Sequence, residues 1–154
     1  MTGTKLGGTG HRLTVGRERM THMDQDRLVA IDLEEIEREF MFIALNEYGL
    51  SDKRGKELLA PVMGVANDDE WYALITRLRD AIKDKAPLSD LDWARSLFLS
   101  EVSFGSQLAG AGLDFAPALD AEWLEVLRSI QYKISNAERF DILVSSAKAL
   151  NRAD

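Results

Sequence analysis

The chain has 154 residues, 45% of them hydrophobic and 29% charged, with a formal net charge of −7 and no cysteine. That length suits one domain with an ordinary core. The missing thiols exclude disulfide frameworks, thiolate nucleophiles and zinc–thiolate sites.

The charge is uneven. Residues 1–22 hold Lys5, Arg12, Arg17 and Arg19 against Glu18, a net of +3, so the other 132 residues carry −10. An acidic body repels phosphate and argues against nucleic acid as a partner. It suits a protein that meets a basic protein partner.

Residues 1–23, MTGTKLGGTGHRLTVGRERMTHM, read as a disordered, flexible basic tail, with Met20 and Met23 as alternative starts. Five of the eleven glycines lie there, and low hydrophobicity with excess charge does not offset the entropy of ordering. Only 12–15 (Arg-Leu-Thr-Val) has strand character. There is no apolar signal core, so the expected compartment is cytoplasmic. The GGTGHR piece lacks the Gly-Lys-Ser/Thr ending of a phosphate loop.

Residues 24–154 read as a helical domain. Asp32 with Glu35 gives a capping start, and Leu33, Ile36, Phe40, Ile43 and Ala44 repeat at helical spacing, with Leu28 and Ile31 in the same rhythm. Gly49 is placed to stop this helix, with Leu50 after it. A short second helix runs from Ser51 to about Ala60, before Pro61 and Gly64. Asn67 with Glu70 opens a third, whose apolar side is Trp71, Leu74, Ile75, Leu78 and Ile82. Pro87 breaks the chain, and Ser89 or Asp90 begins a fourth helix that extends to Gly110. Asp120 opens a fifth, with Trp123, Val126, Leu127, Ile130 and Ile134 inward. Ser135 with Glu138 opens a sixth, with Phe140, Leu143, Val144, Ala147 and Leu150 inward.

The fourth segment is unusual. SLFLSEVSFGSQLAGAGL, residues 96–113, carries one charge, Glu101. Leu97, Phe104 and Leu108 form one stripe; Ser96, Ser100, Ser103 and Gln107 form another. A helix without a charged face is a buried one. The expected fold is therefore all-α: a single compact bundle of about six helices around a central apolar helix at about 89–110. Four serines, a glutamate and three glycines argue against a membrane span. Ser100, Ser103, Gln107 and Glu101 are the expected buried polar groups, and Glu37, beside Ile36 and Phe40, is a further candidate.

Three functions are open. Both histidines, His11 and His22, fall in the tail, so no histidine base or Glu-x-x-His metal pattern reaches the core. No cofactor and no metal site is expected, and no catalytic residue is assigned. The favoured reading is a non-catalytic protein that binds another protein, in the manner of a bacterial immunity or antitoxin-like neutraliser. Its candidate contacts are Asp68, Asp69 and Glu70 at one helix start and Asp120, Glu122 and Glu125 at another. The same acids also complement helix dipoles. The first rival is a transcriptional regulator with a helix-turn-helix-like segment at 43–60, using Lys53, Arg54 and Lys56. Gly55 inside its second helix and the acidic body count against it. The second rival is a small enzyme or ligand-binding protein with Glu101 in an apolar pocket.

Overall fold

The computed structural model describes residues 26–50, 53–110 and 120–153, without the side chains of Lys53 and Arg54. The tail expected at 1–23 lies outside the described residues. The fold is all-α and compact. Its elements are β1 (Leu28–Val29), α1 (Glu35–Gly49), α2 (Lys53–Met63), α3 (Asp68–Lys83), β2 (Leu88–Ser89), α4 (Asp90–Gly105), α5 (Asp120–Ile134) and α6 (Ala137–Leu150).

Two helices share the interior. α1 packs on α3, α4 and α5, while α4 packs on α1, α5 and α6; α2 leans on α6. The charge-poor face of α4 is indeed inside: Trp93, Leu97, Leu99, Ser96, Ser100 and Ser103 are all buried. Ser100 Oγ donates to Ser96 O at 2.7 Å, satisfying itself within its own helix. Trp71 and Trp123 are buried as expected, and so is Trp93. Phe40, Phe104 and Trp123 stack at tilted angles with centroids 5.5–5.6 Å apart, tying α1, α4 and α5 together.

The start of the domain differs from the helical rhythm. Leu28 and Val29 pair antiparallel with Ser89 and Leu88. Val29 O also accepts Trp93 Nε1 at 2.8 Å. The extended chain thus has backbone partners that outweigh a marginal extra helical turn. α1 begins at Glu35, where Glu34 N donates to Glu37 Oε2 at 2.7 Å, rather than at Asp32. Its buried stripe is rotated too: Glu37, Phe40, Met41, Ala44, Leu45 and Tyr48 face inward, and Ile36 is 42% exposed. Its end differs slightly, because Gly49 is the last helical residue and Leu50 points to solvent.

Pro61 lies inside α2 rather than after it, so the helix gives up one N–H···O bond two residues before its end. Gly64, at φ +69°, makes the reversal. Asn67 caps α3, accepting from Glu70 N at 2.9 Å, and all five expected core residues of that helix are buried. Ser89 caps α4 as expected. α6 is capped by Asn136, which accepts from Arg139 N at 2.8 Å, one residue later than the Ser135 reading. Phe140 is 65% exposed and Leu143 is the buried residue of α6.

The largest correction concerns the end of α4. It stops at Gly105, so Gln107 and Leu108 are off the helix and exposed, Leu108 at 90%. The chain turns back over the helix end. Ser106 Oγ accepts Ala109 N at 3.0 Å, and Ala109 O accepts Tyr48 Oη at 2.9 Å. Gly110 then lies against the last carbonyls. A Cβ there would sit 2.3 Å from the oxygens of Val102 and Ser106 and 2.6 Å from that of Ser103. These are backbone atoms that cannot swing away. Gly110→Ala should therefore cost about 1–3 kcal/mol in urea unfolding. Gly105→Ala, with nothing among the described residues within 4 Å of the added Cβ, should be neutral or stabilise by up to about 1 kcal/mol.

Candidate functional site

The buried charges are bound to neighbours. Glu37 is 1% exposed. Its Oε1 accepts from Ser129 Oγ at 2.5 Å, and its Oε2 from Lys133 Nζ at 2.6 Å and from Glu34 N. Burial pushes the Glu37 pKa up. The hydrogen bonds from Lys133, Ser129 and Glu34, with the charge of Lys133, outweigh burial and hold it below the ordinary carboxylate value. The sequence marked Glu37 as a candidate buried acid, but a carboxylate on an apolar face carries no visible sign of its distant partners.

Glu101 is half-buried, and its Oε1 accepts from Gln131 Nε2 at 2.7 Å. It thus joins α4 to α5. Ser129 and Lys133 lie on one flank of α5 and Gln131 on the other, so two carboxylates grip this helix from both sides.

A second polar group anchors the start of α4. Asp90 accepts from Arg139 Nε at 2.9 Å, and Arg139 Nη1 also donates to Ile134 O at 2.7 Å. Asp92 accepts from Arg77 of α3 and from Arg95 at 3.1 Å. Arg95 Nη2 reaches Ser146 Oγ of α6 at 3.4 Å. Burial lowers the Arg95 pKa against the pull of Asp92, and the group remains cationic at neutral pH. The Ser96 and Ser103 hydroxyls are buried and have no hydrogen-bond partner among the described residues. Their small size admits close helix contact.

The acids at the start of α3 are partly committed as well. Asp68 pairs with Lys56 at 2.8 Å, and Glu70 Oε2 accepts Ala66 N at 2.7 Å; Asp69 is exposed. Lys56, a residue of the helix-turn-helix reading, is only 9% exposed and lies over the Tyr72 ring, 5.4 Å from its centroid. It serves a contact within the fold. The side chains of Lys53 and Arg54 lie outside the described residues.

What remains open is the outer face of α5. Trp123, Leu127, Ile130 and Ile134 point inward. Ala121, Leu124, Glu125, Arg128 and Tyr132 recur at three- and four-residue spacing on the opposite side and, with Ser129, line a shallow open groove. Tyr132 is 89% exposed and Leu124 43%. Asp120 and Glu122 are exposed on the flanks of this stripe. The sequence held a signal for it: the inward stripe of the fifth helix leaves Leu124 and Tyr132 on the wrong side for a core role.

Among the described residues no group of three or more His, Asp and Glu could hold a metal ion, and no helix is long and apolar enough to cross a membrane. Comparison of the chain with protein-family models, curated proteins and solved structures gave no match. The class of protein defined by the fold is an all-α domain with an amphipathic helix exposed on both an apolar and an acidic register.

Two stability tests follow from the charges. Glu37 has a lowered folded pKa, so its contribution is complete above the unfolded value of about 4.3. It fades as pH falls through the lower folded pKa. Urea unfolding of the wild type should lose stability below about pH 4 more steeply than Glu37→Gln does, and at pH 7 that variant should be weaker by about 1–3 kcal/mol. Arg139→Met leaves Asp90 buried without its cation and should cost about 3 kcal/mol. Adding Asp90→Asn should recover part of that loss in a double-mutant cycle.

Proposed function

We propose that this chain is a non-catalytic acidic helical protein that acts by binding another protein, with the outer face of α5 as its contact surface. The observation that carries the reading is the exposure of Tyr132 and Leu124 on a stripe diametrically opposite the buried one. A large aromatic that loses no core contact by facing water gains its burial from a partner. Tyrosine supplies much contact area at small entropic loss and is enriched in binding hot spots. The flanking Asp120 and Glu122, with Glu125 in the stripe, would steer a basic protein toward that surface. A bacterial immunity or antitoxin-like neutraliser of a basic toxin is the concrete form this takes.

The test is a photo-crosslinking amino acid placed at Tyr132 of the full chain in its source cells, with Tyr72 on α3 as the control position. Covalent adducts with protein from position 132 and none from position 72 support the contact surface. No adduct from position 132 contradicts it.

A further inference from the structure

We propose that a second copy of this chain occupies the outer stripe of α5, the two helices running antiparallel about a two-fold axis. This rests on the α5 contact surface proposed above and gives that surface a second copy of this chain, in place of a basic protein, as its occupant.

The argument comes from the six residues that line the groove, Ala121, Leu124, Glu125, Arg128, Ser129 and Tyr132. With the axis at the level of the junction between Val126 and Leu127, an antiparallel copy maps this set onto itself. Ala121 then faces the second copy's Tyr132, and Tyr132 faces its Ala121, so the largest ring meets the smallest side chain twice. Glu125 faces the second copy's Arg128, and Arg128 its Glu125, giving two opposite-charge contacts. Leu124 meets the aliphatic stem of the second copy's Arg128. A two-fold contact requires a self-complementary patch of this kind.

Register matters. An axis at the level of Arg128 would set Tyr132 on Leu124, but it would also bring two Arg128 guanidinium groups face to face. The charges therefore select the first alignment. The chain's net charge of −7 opposes self-association in general. A self-pairing face must supply local opposite charges, and this stripe holds one of each sign. Asp120 and Glu122 lie off the paired set. The stripe from Ala121 to Tyr132 spans about 16 Å of helix. Such a contact is smaller than a standard interface of about 1,600 Å², so the dimer should be weak and depend on protein concentration.

Sedimentation velocity of the full chain over a concentration series tests this. The wild type should shift from monomer to dimer as concentration rises. Glu125→Arg and Arg128→Glu should each weaken association by about tenfold or more, since each sets like charges opposite one another twice. The double variant Glu125→Arg/Arg128→Glu should restore it. Circular dichroism confirms that these exposed substitutions leave the helices intact. A wild type that stays monomeric at every concentration overturns the proposal. So does a dimer that neither single variant weakens, or a double variant no stronger than the singles. A monomer whose position 132 still crosslinks to a different protein removes the second copy and leaves the contact surface standing. The loss of crosslinking as well removes both.

Discussion

The rotation of α5 about its own axis rests on two carboxylates. Glu37 of α1 holds Ser129 and Lys133 on one flank of α5, and Glu101 of α4 holds Gln131 on the other. Between the flanks, Trp123, Leu127, Ile130 and Ile134 enter the core. Hydrophobic burial supplies most of the favourable free energy but is not directional. The hydrogen bonds set the register. A carboxylate as deeply buried as Glu37 is costly unless its lone pairs are filled, so the helix cannot turn without leaving it bare. Tyr132 and Leu124 are held outward as a consequence.

The same logic governs the start of α4. Asp90 and Asp92 open α4, where the helix N-terminus favours negative charge. Their partners come from α3 and α6 through Arg77 and Arg139. Apolar packing therefore makes the bundle compact, and acids on the two interior helices fix where the outer helices lie. Much of the chain's acidity that seemed available to a partner is spent inside the fold: Asp68 and Glu70 also have local roles. Of the six acids read as partner contacts, three, Asp120, Glu122 and Glu125, are exposed on α5.

The sequence made the helix count and the buried face of α4 legible, because a run with one charge over eighteen residues has no solvent side to offer. It also marked α3 fully, through a cap and a clean apolar period. Three things were not legible. The pairing of Leu28 and Val29 with Leu88 and Ser89 joins segments sixty residues apart, and no local pattern encodes it. The early end of α4 depends on Tyr48 capturing Ala109 O and on Gly110 nesting against carbonyls. The partners of Glu37, a residue marked in the sequence as a candidate buried acid, are Ser129 and Lys133, more than ninety residues away. Periodicity chose Ile36 for the core, and tertiary hydrogen bonding chose Glu37. The candidate face on α5 was half legible: its residues were visible as the complement of the buried stripe, and only the exposure of Tyr132 separated them from an ordinary solvated side.

The absence of cysteine makes the orientation of α5 directly measurable, because any introduced thiol is unique. Tyr132→Cys and Ile130→Cys, in separate proteins at low concentration, should react with a thiol reagent at very different rates. The account predicts fast labelling at position 132 and slow, unfolding-limited labelling at position 130. It also predicts that Glu37→Ala combined with Glu101→Ala narrows the gap. Equal rates at the two positions in the otherwise native chain would contradict it.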